Sequence, residues 1–303
     1  MTVILQKALP VFVMLALGVL CYGKKLLTRE GVSAMKNFVV NITLPAVMFS
    51  AFATAEYSVQ SLLVPLVIFG ICVLMLLLGQ LGCRLLHISG RLSPYLTTGF
   101  EAGMLGYALF ALLFPGEPTS SFAIVDLGQV LFVFTLYKAL LAGKGGLRSV
   151  MTEALHAPAV WAITIGILFG ASGLYRALEP SGISAVVDAV ANFVAAPTSA
   201  VILLTIGYDL ASGKIQWKKT MRLAALRLAV AACALGAVLL LDHLALGHLM
   251  HTGALVLMFI LPPPYVLPVF ADVEEERADV SGALSALTVI SLVLFMLLTL
   301  FFQ

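Results

Sequence analysis

Apolar runs long enough to cross a bilayer follow one another along nearly the whole chain. A bilayer core of roughly 30 Å needs about 20 apolar residues in an α-helix, and lipid admits only structures whose backbone polar groups are bonded internally. With 61% hydrophobic and 11% charged residues, the sequence predicts an all-α polytopic membrane protein without a soluble domain. Ten spans are predicted, at residues 8–23, 36–54, 60–84, 94–114, 119–142, 157–175, 184–210, 221–241, 252–271 and 281–302.

The distribution of basic residues predicts the orientation of these spans. Short cytoplasmic loops are enriched in Lys and Arg. With the N-terminus outside, all of the 17 basic residues except Lys7 and Arg176 fall in cytoplasmic segments or at the cytoplasmic ends of spans. Both termini are therefore predicted to lie outside a cytoplasmic (inner) membrane, with the first span retained as a helix. The net charge of +2 gives no indication of a nucleic-acid partner, because topology accounts for the basic residues.

The two halves of the chain show a weak internal repeat. Pro10 aligns with Pro158 and Gly18 with Gly166 at one constant offset, and spans two and seven each contain an internal proline. Because five spans is an odd number, the second copy must be inverted in the membrane, as in many secondary transporters. The predicted division is a first repeat at 1–142, a cytoplasmic linker at 143–156 and a second repeat at 157–303.

Span nine contains three consecutive prolines, Pro262, Pro263 and Pro264, followed by Pro268. A proline has no N–H to donate, and its ring clashes with the carbonyl four residues earlier. Unpaired backbone groups at membrane depth persist only in a protein interior or a wet cavity. We therefore expect two half-helices joined by an unwound segment, in preference to a simple kink.

Span four is the predicted counterpart, with Gly99, Gly103 and Gly106 around the acidic Glu101. These glycines are equally consistent with unwinding and with ordinary close packing of helices. If both spans are interrupted and cross, the N-terminal ends of two half-helices meet near the midplane. Their partial positive charge favours an anionic ligand.

Two acidic residues lie deepest in the apolar spans, Glu101 and Asp126. Such residues are costly in a membrane and are functional candidates, although either acid could serve as a structural hydrogen-bond partner. Glu101 is the candidate coupling site for H⁺ or Na⁺, with Asp126 as a second. Asn41 is predicted to bond either a neighbouring helix or the ligand. Arg227, near a predicted span end, is interpreted as a snorkelling side chain.

Four segments of the chain are "NITLPAVMFSAFA", "GFEAGMLGYALF", "DLGQVLFVFTLYKALL" and "LPPPYVLPVFADVEEERADVSGALSALTVISLVLF". These segments resemble those of the auxin efflux carrier family of permeases, which includes bacterial malonate and malate carriers and is related to the plant PIN exporters. The resemblance implies a fold similar to that of bile-acid/sodium symporters, with broken helices 4 and 9 crossing in a transport domain of helices 3–5 and 8–10. Helices 1, 2, 6 and 7 would form the scaffold.

The same resemblance implies secondary active transport of a small carboxylate by an elevator-type movement, with the substrate at the crossing. Unlike many relatives, this chain has no proline in span four between Tyr95 and Phe114. The candidate substrate-binding residues are Asn41, Glu101, Gly103, Met104, Gly106, Tyr107, Pro262, Pro263, Pro264 and Tyr265.

Other classes of function fit the sequence less well. An uncoupled channel or uniporter for small anions is the first alternative, but no ring of charges is recognisable. An intramembrane enzyme would need a nucleophile or metal constellation, and we predict no catalytic residue, metal site or cofactor. His243, His248 and His251 are interpreted as loop residues rather than metal ligands. The expected partners are the carboxylate and the lipid bilayer. Substrate identity, direction of transport, coupling ion and homodimer formation are left open.

Overall fold

The computed structural model describes residues 2–55, 57, 63–142, 158–212, 217–267 and 276–300, and this part is helical without any β-strand. The predicted linker at 143–156 and Pro268 lie outside the described residues. In chain order, the α-helices are α1 (Thr2–Gly23), α2 (Arg29–Phe38), α3 (Leu44–Ala53), α4 (Leu63–Leu85), α5 (Tyr107–Leu113), α6 (Ser120–Phe132), α7 (Lys138–Ala142), α8 (Pro158–Ala171), α9 (Leu174–Ala177), α10 (Ile183–Ala195), α11 (Thr198–Ser212), α12 (Trp217–Leu241), α13 (Thr252–Ile260) and α14 (Arg277–Leu298).

Short π-helical and 3₁₀ segments connect or extend several of these helices. A π turn at Val39–Thr43 joins α2 to α3, where Pro45 follows at the start of α3. Because proline cannot donate to the carbonyl four residues earlier, the hydrogen-bond pattern widens there without ending the helix. The other π turns are Ala102–Gly106, Val133–Tyr137 and Asp242–Leu246, and the 3₁₀ helices are Ser93–Thr97 and Glu179–Ser181.

Helix length and apolarity identify the chain as a multi-pass membrane protein. Within the described residues, five helices meet the requirement for crossing a bilayer, and a sixth does if Pro158–Ala171 and Leu174–Ser181, bent by 66°, count as one span. Phe12–Gly23 and Gly282–Leu298 are shorter apolar helices. The predicted all-α membrane class is confirmed, whereas the number of ten spans stays a prediction. The five helices are Arg29–Ala53, Leu63–Leu85, Ser120–Leu141, Ile183–Ala211 and Lys218–Leu246.

Glycines bring α1 and α11 into backbone contact. A Cβ atom placed on Gly18 would lie 2.1 Å from the carbonyl oxygen of Leu204, and one on Gly207 would lie 2.1 Å from that of Leu15. Membrane helices pack closely through small residues because the lipid gives no hydrophobic drive for their association. Helices α1 and α11 are therefore packed at a backbone distance that only glycine at these positions permits.

Helix α8 packs on α3 by the same device. A Cβ atom on Gly166 would approach the carbonyl oxygen of Phe49 to 2.9 Å, and one on Gly170 would approach that of Phe52 to 2.8 Å. The first helix of each half of the chain thus packs through glycine on a helix from the other half.

Candidate functional site

The chain leaves helical geometry at the end of α13. Leu261 is extended (φ −64°, ψ 153°), and residues 262–264 are not helical. The N–H of Leu261 still donates to the carbonyl of Met258, but the next three residues are prolines and have no N–H to donate. Carbonyl groups at this end of α13 must therefore find partners outside their own helix.

A second non-helical segment lies in predicted span four. The 3₁₀ helix Ser93–Thr97 ends in an extended Thr98 (φ −126°, ψ 167°), and Gly99 has φ +66°. Helical structure resumes only at Ala102. The non-helical residues, 98–101, thus precede the predicted site residues Gly103, Met104, Gly106 and Tyr107, and the backbone departs from helix at the left-handed Gly99.

Glycine is required at position 99 for a further reason. A Cβ atom there would lie 2.8 Å from Cγ of Pro264 in the other non-helical segment. The two segments are therefore in van der Waals contact at this point.

Backbone hydrogen bonds and a carboxylate join the two segments. The N–H of Glu101 donates to the carbonyl of Pro262 (2.8 Å), and the N–H of Tyr265 donates to the carboxylate of Glu101. The rings of Phe100 and Phe259 pack with their centroids 4.9 Å apart. Glu101 is only 6% exposed, so its carboxylate is stabilised by protein donors and not by bulk water.

Asp126 on α6 forms a second buried polar group beside the crossing. Its carboxylate accepts hydrogen bonds from the hydroxyl of Tyr107 (3.0 Å) and from Nε2 of Gln129 (3.2 Å). The side-chain oxygen of Gln129 in turn accepts from the N–H of Phe100 at 3.4 Å. Asp126 is fully buried and is connected through Gln129 to the non-helical segment.

Arg227 on α12 provides the buried cation of the site. Its Nη1 donates to the carbonyl of Leu96 (3.0 Å), and its Nη2 donates to those of Gly99 (2.9 Å) and Leu261 (2.8 Å). The side chain is 3% exposed. The interpretation of Arg227 as a snorkelling residue at a span end is therefore wrong, because α12 begins at Trp217 and carries Arg227 about three turns into the helix.

Tyr265 connects the crossing to the last helix. Its hydroxyl lies 2.6 Å from Oγ1 of Thr288 on α14, and Thr288 also donates to the carbonyl of Leu284. The crossing thus has polar contacts to α6, α12 and α14. Sequence reasoning missed Gln129 and Thr288, although polar residues in apolar runs were the available signal.

The structure brings together most of the predicted site residues, but not all of them. A Cβ atom on Gly106 would lie 2.8 Å from Cδ1 of Leu261, so this glycine belongs to the crossing. One on Gly103 would lie 3.3 Å from Cε of Met48, on the side of α3. Asn41 is exposed and donates to the carbonyl of Asn37 (2.9 Å). The side chain of Met104 lies outside the described residues.

The loop between α12 and α13 contains a histidine pair. Nδ1 of His243 lies 3.0 Å from Nε2 of His248, whereas Nδ1 of His251 accepts from the N–H of Ala254 and caps α13. Within the described ranges, no group of three or more His, Cys, Asp or Glu side chains could hold a metal ion.

Interrupted apolar segments that cross in the interior of a multi-pass helical protein are typical of membrane carriers. Comparison with known proteins agrees with this class. The sequence profile of the family described as "Membrane transport protein" matches residues 3–142, which confirms the family resemblance over that range. An "Uncharacterized transporter" of Methanothermobacter thermautotrophicus is 26% identical over 216 residues, covering 68% of this chain and 67% of the relative. Both findings point to a membrane transporter and not to an enzyme.

Proposed function

We propose that this protein is a secondary active transporter of a small organic carboxylate, with the substrate bound where spans four and nine cross. The observation that carries the proposal is the contact between two buried non-helical segments through Glu101 and Tyr265. Non-helical backbone inside a membrane protein is tolerated where it lines a site. In this arrangement the carboxylate of Glu101 accepts a hydrogen bond from the backbone N–H of Tyr265. A backbone N–H of this kind is a group that recognises an anion.

The proposed architecture has ten helices in a five-plus-five inverted repeat, with both termini outside the inner membrane. Its support is the reciprocal packing of the two halves. Gly18 and Gly166, aligned by the sequence repeat, place their helices α1 and α8 against α11 and α3 respectively. An inverted repeat relates these two contacts to each other, because spans one and seven correspond to spans six and two.

Glu101 is the proposed coupling residue. While its carboxylate is ionised and accepts from the N–H of Tyr265, a substrate carboxylate would compete for that donor and be repelled. Binding of H⁺ or Na⁺ to Glu101 removes this conflict, so that ion and anion would bind together. Asp126 is proposed as a second ion site, since it is buried and already bonded to Tyr107.

An elevator-type movement is proposed for the transport domain of helices 3–5 and 8–10. The polar partners of the crossing come from α6, α12 and α14, which belong to spans five, eight and ten. Toward α3 of the scaffold, Gly103 instead meets the apolar ends of Met48 and Leu44. An apolar boundary on one side and polar contacts on the other would let the crossing move as one unit with its domain.

Proteoliposome uptake tests this function directly. Labelled malonate, malate, pyruvate and indole acetate would be offered under imposed H⁺ or Na⁺ gradients. We expect gradient-driven accumulation of at least one acid by the wild type. Glu101→Gln is expected to abolish accumulation above equilibrium, because an amide keeps the size of the side chain but does not ionise.

Glu117→Gln serves as the matched control, since Glu117 lies half-exposed in the loop after α5, 3.9 Å from His251. Its accumulation should equal that of the wild type. Flux that never exceeds equilibration in the wild type would indicate an uncoupled channel or uniporter. Absence of flux for all four acids would contradict the proposed substrate class.

A further inference from the structure

Arg227 lies outside the proposed coupling scheme, yet it contacts both non-helical segments. Its planar guanidinium has five N–H donors in a fixed fork, and three of its hydrogen bonds reach the carbonyls of Leu96, Gly99 and Leu261. Two of these carbonyls belong to span four and one to span nine. A single side chain on a third helix thus bridges the interruptions of both spans.

The bonded carbonyls lie where regular helix ends in the two segments. Leu261 is the C-terminal cap of α13, Leu96 lies in the last turn of the 3₁₀ helix Ser93–Thr97, and Gly99 follows two residues after that helix. The C-terminal ends of helices carry partial negative charge, which a buried cation stabilises. Arg227 therefore supplies donors to three carbonyls that lie beyond regular helical hydrogen bonding in the two segments.

Among the described residues, no carboxylate lies within ion-pair distance of Arg227 to account for its burial. Within the described part of the chain, its partners are the three carbonyls and the ring of Phe100, whose centroid lies 5.8 Å from Cζ. Burying a charge is costly unless its hydrogen-bonding groups are satisfied. Three carbonyls from the two non-helical segments converge on Arg227 and offset the cost of burying its charge.

We propose that Arg227 is the positioning residue of the crossing, which holds the two non-helical segments in the relative position that the substrate site needs. The transport consequences of this proposal rest on the proposed function, whereas its structural consequences do not. The fork geometry is essential to the role. A lysine ammonium keeps the charge, but its more compact head on a flexible stem does not reproduce a planar array of donors.

Hydrogen–deuterium exchange of the purified protein tests the positioning role without any substrate. The informative amides are those of Phe100 and Glu101 in span four and Tyr265 in span nine, all hydrogen-bonded across the site. We expect Arg227→Met to raise the exchange rates of these amides about ten-fold or more. Without the guanidinium, the hydrogen bonds between the segments open locally and more often. Arg227→Lys is expected to raise the rates less.

Arg222→Met is the matched control, because Arg222 is an exposed arginine on the same helix α12. It should leave exchange at these amides unchanged. Unchanged exchange at both segments in Arg227→Met and Arg227→Lys would overturn the proposal. So would an equal rise along the whole chain in the Lys variant, which would indicate a general stabilising role.

Kinetics of uptake separate positioning from structural support. In the folded fraction of Arg227→Lys, we expect the KM for the transported acid to rise about ten-fold, because a misplaced site loses binding energy. A merely structural role would lower the amount of folded protein and leave KM unchanged, which would contradict the proposal. If the wild type transports no acid, the proposed function fails while the exchange measurement still decides the role of Arg227.

Discussion

Individual residues at the crossing are constrained by geometry more than by polarity. Gly99 combines a left-handed backbone (φ +66°) with contact against the ring of Pro264. A residue with a side chain would be strained by the first property and would clash because of the second. Adding a single methyl group at this position, as in Gly99→Ala, is therefore expected to separate the two segments.

We expect Gly99→Ala to lower the stability of the protein by about 2 kcal/mol or more, since a left-handed non-glycine residue alone costs roughly 1–2 kcal/mol. Thermal unfolding of the purified protein measures this change. Gly116→Ala is the control, because no atom lies within 4 Å of a Cβ atom there and its backbone is not left-handed. Equal unfolding temperatures for the two variants would contradict the proposed contact with Pro264.

Glu101 and Arg227 show what sequence reasoning can recognise at this scale. Glu101 stands in the middle of an apolar run, so its burial could be predicted directly, and it is confirmed at 6% exposure. Arg227 follows a basic segment, "KKTMR", so the start of its helix resembles a polar loop in the sequence. Its depth could not be predicted, because the first turns of α12 are as polar as a loop.

Among the helices, close packing is concentrated at glycines. The contact of Gly207 with the backbone of Leu15 sets the distance between α1 and α11. Sequence comparison of the two halves pointed to Gly18, but it did not indicate Gly207, since small residues are common throughout membrane helices. Which glycines form contacts depends on the rotation of each helix about its axis.

Gly207→Ala is expected to destabilise the protein strongly, because the new Cβ atom would lie 2.1 Å from the carbonyl oxygen of Leu15 and the helices would have to separate. Gly236→Ala on α12 is the control, where nothing lies within 4 Å. That change should be neutral or stabilising by about 0.5–1 kcal/mol, as expected for alanine in a helix. Unfolding midpoints in detergent measure both, and a smaller loss for Gly207→Ala than for Gly236→Ala would contradict the packing.

The non-helical segments in predicted spans four and nine differ in how well they could be predicted. Three consecutive prolines have a defined effect on the backbone, and α13 ends at Ile260, directly before Leu261 and the first of them. Glycines permit unwinding without imposing it, so the position of the non-helical residues in span four did not follow from the sequence. Contact with Pro264 and Arg227 selects that position.

For the whole molecule, the distribution of charge predicts the orientation in the membrane. We expect a cysteine at Gly116 to react with an impermeant maleimide in intact cells, and one at Ser89 to react only after permeabilisation, because positively charged loops stay in the cytoplasm. Both positions are exposed. The reverse labelling pattern would contradict the proposed orientation. The background variant would lack the native cysteines, Cys21, Cys72, Cys83 and Cys233.

The sequence by itself determined the class of this protein, an all-helical membrane protein, because apolar runs of bilayer length leave the backbone no other way to satisfy its hydrogen bonds. It also identified the prolines of span nine and the buried carboxyl of Glu101. Only the tertiary structure decided which distant groups meet, namely Tyr265 with Glu101 and Arg227 with Leu96 and Leu261. These contacts depend on the rotation and depth of separate helices, and no local pattern of residues encodes them.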